Sequence, residues 1–300
     1  MEEREVVIIG SGIAGATAAI YTTRALLDTL IVSSGPFGGQ MLETEKICNW
    51  PGEREISGFE LAQKLKEHVL GLGAEVREFT NVESVDLRNK IVTTMGGGIK
   101  AKAIIIATGE KPKALGAKGE TEFRGRGVSY CSTCDGPFYT GKKILVVGGG
   151  NSAFQESLYL SRFASEITLV HRRDEFRAEQ ALVKEAKENP KIKFMTSAAI
   201  EEIKGSGRVE SVVLRDLKEG TSKEIQTNGV FIFIGSTPRS EIFEVEKDEK
   251  GYIIIDEHMR TSVEGVFAAG DVANTPIKQL VVAAGTGAIA GVSAYEYLKG

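Results

Sequence analysis

Two segments of the chain carry the same pattern of apolar and polar positions. "EVVIIGSGIAGATAAIY" (5–21) and "KILVVGGGNSAFQESLYL" (143–160) each run an unbroken apolar, mostly β-branched stretch into glycines, then into apolar positions at helical spacing. A strand without alternation is covered on both faces, so each segment predicts a parallel-sheet strand, a tight turn and a helix. A second apolar run follows each one, "TLIVSS" (29–34) and "EITLVHRR" (166–173), and predicts the next parallel strand. The copies stand too far apart for a solenoid period and suit two nucleotide-binding units in one chain.

Between them, "KIVTTMGGGIKAKAIIIATG" (90–109) predicts two strands around a Gly-rich turn, the second buried and ending at Thr108 and Gly109. Beyond the second copy, "VESVVLRDL" and "NGVFIFIGSTP" predict short strands. "GYIIIDEHMRTSVEGVFAAGDV" predicts strands that lead into an apolar helix over residues 278–299. The polar, Pro-containing stretches 110–126 and 236–250 read as linkers, which makes the second unit an insertion in the first. The expected fold is therefore α/β, two Rossmann-like dinucleotide-binding domains of the three-layer ββα kind. The expected bounds are 1–112 with 242–300 for one domain and 113–241 for the other.

Composition changes this picture little. There are 35 glycines in 300 residues, against roughly 7% on average, as many strand-to-helix turns require. The net charge of −4 comes without a basic block, so nucleic acid is not an expected partner. The longest apolar stretch, 280–295, is Gly-interrupted and shorter than the roughly 20 residues of a spanning helix, so no membrane is expected either. "MEEREVVIIG" shows no secretory pattern, which predicts a cytoplasmic location.

The turns suggest ligands. Gly10, Gly12 and Gly15 fit the G-x-G-x-x-G pattern that lets backbone approach a pyrophosphate at a helix N-terminus. No acidic ribose ligand ends the second strand, where Ser33 and Ser34 stand, so the motif alone does not name its ligand; a plain Gly-rich turn is the alternative. Gly148, Gly150 and Ala153 repeat the pattern around Asn151 and Ser152. Here the second strand ends in His171, Arg172 and Arg173, with Arg177 beyond. Guanidinium groups match a 2′-phosphate and an acid would repel it, so this unit is predicted to prefer NADPH to NADH. A solvated basic turn is the bland alternative.

"VSYCSTCDGPFY" (128–139) holds two of the three cysteines. Zinc needs four ligands, and only Cys48, His68, His171 and His258 remain, scattered along the chain. A passive crosslink is poorly motivated in a reducing compartment. A redox pair fits, since Cys-x-x-Cys favours a thiolate and rapid exchange. Asp135, directly after Cys134, could serve as acid and base or simply as a turn residue.

"GVSYCSTCDGPFYTGKKILVVGGGNSA", "HRRDEFRAE", "FGGQ", "NWPG", "IIIATG" and "VFAAGDV" occur in an order that resembles the low-molecular-weight thioredoxin reductases over essentially the whole chain. The resemblance implies FAD on Gly10, Ser11, Gly12, Ile13, Ala14, Gly15, Gly39, Gln40, Asn49, Thr108, Gly109, Gly270, Asp271, Lys278, Gln279 and Leu280. Ser33 and Ser34 are counted with that site. It implies NADPH on Gly148, Gly150, Asn151, Ser152, Ala153, His171 and the three arginines. Cys134 would face the flavin, Cys131 would exchange with a substrate disulfide, and Asp135 would donate the proton. Electrons would pass from NADPH through FAD to the Cys131–Cys134 disulfide and on to thioredoxin or a glutaredoxin-like protein. The inserted domain would turn on its linkers, and a homodimer is implied.

Cys48, beside Asn49, reads as a buried small hydrophobe. The sequence departs from the family's common pattern at Ser132, where Ala is frequent, at Lys278, where Arg is familiar, and in "STPRS" (236–240). The rival readings are a flavin reductase serving ferredoxin or a peroxidase, and a nucleotide-sensing protein with a vestigial dithiol. Ferredoxin reductases of this shape lack the cysteine pair, and peroxidase-linking forms carry an added thioredoxin-like N-terminal region not seen here.

Overall fold

Val6, Val7, Ile8 and Ile9 are all buried, so the strand that carries them, β1 (Glu2–Ile9), has both faces covered at that end. The computed structural model describes residues 1–44 and 46–300. β1 leads through Gly10 to α1 (Ile13–Arg24) and then β2 (Thr29–Val32), which pairs with β1 in parallel. α2 (Gly58–Gly71) begins where Ser57 accepts the Glu60 N–H, a serine N-cap. β3 (Glu75–Arg77) then joins β2 in parallel. The antiparallel pair β4 (Val82–Asp86) and β5 (Ile91–Thr94) feeds the long β6 (Gly97–Ile106), which lies parallel to β1.

The chain leaves this unit through β7 (Glu110–Pro112). Next come β8 (Val128–Ser129), the single-turn helix α3 (Ser132–Asp135), β9 (Lys143–Val147), α4 (Asn151–Leu160), β10 (Glu166–Val170), α5 (Gln180–Glu188) and β11 (Ile192–Met195). An antiparallel three-stranded sheet follows, β12 (Ala198–Lys204), β13 (Ser211–Asp216) and β14 (Ser222–Gln226), before β15 (Gly229–Ile232). β15 inserts beside β9, giving the parallel order β11-β10-β9-β15-β8.

The return passage, β16 (Ser236–Pro238), pairs with β7. β17 (Val266–Ala268) lines up with the second half of β6, whose first half is taken by β5, and α6 (Leu280–Lys299) closes the chain. The parallel order β3-β2-β1-β6-β17 thus repeats that of the other sheet. By contacts the chain forms two units, Met1–Lys111 with Thr237–Gly300, and Pro112–Ser236. In the first, apolar residues cluster on both faces of the sheet, α1, α2 and α6 covering one of them. No helix among the described residues is long and apolar enough to cross a membrane.

Two sequence expectations need correction. Residues 252–256 form no strand: Ile253 is buried and makes only isolated bridges to Lys247 and Ala273. An apolar triplet can anchor a loop as readily as start a strand. Each of the stretches read as linkers carries a buried aromatic, Phe123 in one and Phe243 in the other, although most of their residues are exposed or half-buried. One aromatic anchor in a polar stretch is enough to hold it.

Candidate nucleotide and redox sites

The two glycine turns are built alike. Gly10, at φ +114°, donates its N–H to Val32 O at 2.8 Å, and Gly148, at φ +155°, donates to Val170 O at 3.1 Å. A Cβ on Gly10 would stand 2.3 Å from Ala107 O, and one on Gly148 2.5 Å from Phe233 O. Each turn therefore lies between the first strand of its unit and the neighbour reached by crossover, where strand order reverses and ligands bind in this architecture. Gly15 would meet Gly10 O at 1.9 Å, so helix and turn touch through backbone alone. Gly12 and Gly150 are the N-caps of α1 and α4; neither helix has a side-chain cap, and a Cβ at either glycine would meet nothing within 4 Å. Uncapped first-turn N–H groups behind an open glycine fit the pyrophosphate of a dinucleotide in each unit.

Several of the residues singled out for FAD touch the first turn or one another. Gly38 N–H reaches Ser11 O at 2.9 Å, and a Cβ on Gly39 would be 3.3 Å from Gly12 Cα. Gln40 Nε2 donates to Glu110 O at 2.5 Å, and Asn49 Nδ2 to Gln279 Oε1 at 3.0 Å. Thr108 Oγ1 donates to Arg239 O, and Arg239 N–H to Gly109 O. Gly270, at φ +74°, abuts Ala14: a Cβ there would be 2.8 Å from the Ala14 methyl. Ile13 is buried beside it, Leu280 opens α6, and Ser33 and Ser34 follow the end of β2.

Two charged groups are held at the same end. Burial, then the nearby Glu110, pushes the Asp271 carboxyl up to about 6. Lys278 Nζ donates to Asp271 O, Ala273 O and Thr275 Oγ1 and lies 4.2 Å from the Tyr252 ring centroid. Its amine is spent on tying down the 271–275 turn, and burial lowers its basicity. Cys48 is exposed, which corrects its reading as a buried hydrophobe.

Around the second turn, Arg177 N–H bonds Gly149 O at 2.8 Å, while Asn151 and Glu179 exchange two hydrogen bonds of 2.8 Å. Arg172, Arg173 and Arg177 are exposed, as is Ser152, and Ala153 is buried. No hydrogen bond or ion pair engages these guanidinium groups among the described residues. His171 parts from them: it is 6% exposed, with its ring against Phe176 and beneath Gly149, whose Cβ would come within 2.3 Å of it. Its Nε2 has no hydrogen-bond partner among the described residues, and burial, then the arginines, lowers its pKa.

Cys131 and Cys134 form a disulfide with Cα atoms 5.3 Å apart, Cys131 as N-cap of α3. The Cys134 N–H donates to Cys131 Sγ at 3.2 Å, and Thr133 Oγ1 lies 3.4 Å from the same sulfur. Ser129 Oγ accepts the Cys131 N–H and bonds Cys131 O. Asp135 ends the turn; burial pushes its carboxyl up, and the Ser129 hydroxyl opposes that shift. Sequence reading missed Ser129, and also Glu156 on α4, whose carboxylate accepts from the Ser132 hydroxyl. A contact spanning 24 residues leaves no local signal.

Two dinucleotide turns and a Cys-x-x-Cys disulfide define a class of oxidoreductase, and comparison with known proteins agrees. Residues 4–287 match the family described as "Pyridine nucleotide-disulphide oxidoreductase", and the chain belongs to it. Its similarity to thioredoxin reductases spans nearly the whole length. The thioredoxin reductase of Bacillus subtilis (strain 168) is 46% identical over 98% of this chain and 95% of its own. That of Peptoclostridium acidaminophilum is 43% identical over 98% and 97%. The crystal structure of thioredoxin reductase from Streptococcus pyogenes MGAS5005 superposes with a TM-score of 0.95 at 42% identity, covering 99% of this chain and 98% of that one.

Proposed function

We propose that the chain is an NADPH-dependent thioredoxin-disulfide reductase, moving electrons from NADPH through FAD and the Cys131–Cys134 pair to the disulfide of thioredoxin or a related small dithiol protein, glutaredoxin-like proteins included. The observation that carries this reading is the Cys131–Cys134 disulfide on α3, in the same unit as the second glycine turn. Bound FAD supplies the exchange between a two-electron hydride donor and a dithiol. The first unit, with its gathered Gly10–Gly15 turn, Asn49–Gln279 pair and Asp271, is assigned to FAD. The Gly148–Ala153 turn and the three arginines of the second are assigned to NADPH, with His171 acting as the floor beneath the turn.

Cys131 is assigned as the attacking thiol. The Cys134 N–H already aimed at its sulfur would stabilise a thiolate there after reduction. Its attack on the partner's disulfide forms a mixed disulfide and releases one partner thiolate, which takes a proton. Cys134 then attacks Cys131, restoring the internal disulfide and freeing the second partner thiol. Asp135, with its raised proton affinity, is assigned to carry the proton. A cytoplasmic location is proposed, supported by the similarity to thioredoxin reductases. A homodimer is proposed, supported by exposed Val281, Ile289 and Val292 on α6.

Cys131→Ser and Cys134→Ser should each abolish NADPH-driven reduction of thioredoxin while leaving bleaching of bound FAD by NADPH intact, read by stopped-flow absorbance. Loss of flavin reduction in both variants would overturn this division of labour.

A further inference from the structure

Ser132, between the two cysteines, is only 2% exposed, and its hydroxyl donates to the Glu156 carboxylate. Glu156 is half-buried on α4, which packs against α3. Among the described residues it has no ion pair and no second hydrogen-bond partner, and burial pushes its carboxyl up. A partly desolvated carboxylate without a counter-charge is unfavourable, and a hydrogen bond to a buried group holds it there. Here the holder is Ser132, one of the two residues between the cysteines.

We propose that Glu156 is a positioning residue for the dithiol, acting through Ser132 to fix the Cys131–Cys134 turn and to make the pair a stronger reductant. The proposal rests on the reading of that pair as the redox centre. Reduction breaks the S–S bond with two electrons, supplied by NADPH in turnover, and one proton, leaving a thiolate and a thiol; a second proton gives the dithiol. The oxidised pair carries no charge and the thiolate form carries one. A half-buried anion tethered to an intervening residue disfavours that charge. The disulfide is thereby favoured over the dithiol, and electrons leave the pair more readily.

The test needs neither NADPH nor a partner protein. The holoenzyme is equilibrated anaerobically at pH 8 in buffers of reduced and oxidised dithiothreitol. The Cys131–Cys134 state is then trapped by alkylation and counted by mass spectrometry. Glu156→Gln should shift the equilibrium constant toward the dithiol about three- to tenfold, the upper figure being about 30 mV for a two-electron couple. Ser132→Ala should shift it in the same direction, and the double variant no further than the larger single, since both remove one link. Single variants within twofold of the parent, or a double variant equal to the combined singles, would overturn the proposal. A purely structural role would lower the melting temperature and leave the equilibrium where it was. Should Glu156→Gln fail to fold by circular dichroism, Ser132→Ala alone decides. Failure of the wider functional reading looks different: the parent holoenzyme itself then shows no NADPH-driven turnover of thioredoxin, whatever the dithiol equilibrium of the variants.

Discussion

Asp271 occupies a position where ionisation is unfavourable. Its carboxyl is pushed up to about 6 from an ordinary value of 3.8, chiefly by burial. Between these values the folded chain keeps a proton that the unfolded chain has released, so stability falls as pH rises through that window and levels off above pH 6. Without added FAD, Asp271→Asn should therefore be more stable than the parent by about 3 kcal/mol at pH 7.5, the difference largely gone near pH 4. Urea denaturation at the two pH values measures this, and an equal difference at both contradicts it. Arg172, Arg173 and Arg177, exposed and unpaired among the described residues, are the predicted phosphate clamp. Replacing all three with Ala should raise the NADPH KM far more than the NADH KM in steady-state assays; equal effects would remove the clamp. The arginines were legible because a charged cluster at a strand end is local. The burial of His171 was not legible, since it depends on Gly149 and Phe176 closing over the ring.

Helices α1 and α6 touch through backbone. A Cβ on Gly287 would stand 2.2 Å from Ala14 O, and one on Gly291 2.8 Å from Ala18 O. Gly285, on the same helix, has nothing within 4 Å. Gly287→Ala should accordingly cost about 2–4 kcal/mol by forcing the helices apart. Gly285→Ala should be neutral or stabilise by up to about 1 kcal/mol. Thermal melts of the two variants compare them directly, and similar melting temperatures would contradict the close crossing. Because Ala14 also abuts Gly270, the crossing fixes the turn of the first unit against Asp271. At this scale the sequence was clear where one period dominates: β1 with α1, and β9 with α4, follow their apolar patterns. It was ambiguous where burial comes from one or two residues, as at Ile253 and Phe243, because no period then separates an anchored loop from a strand.

Across the whole molecule, one strand order is used twice, and in both units a glycine turn lies at the same reversal point. That repetition was legible from the two strand-glycine-helix segments. The sharing of β6 between β5 and β17 was not, because pairing partners far apart in sequence leave no local pattern. The redox motif divides the same way: Cys131, Cys134 and Asp135 declare themselves by spacing, whereas Glu156 joins them only through the fold. The proposed function requires one route for electrons, and a single anaerobic titration of the purified protein follows it. NADPH should bleach a bound yellow flavin in near-stoichiometric amount, and oxidised thioredoxin added afterwards should restore the colour while its disulfide opens. A colourless protein that does not retain FAD, or a bleached flavin that thioredoxin leaves bleached, would contradict it.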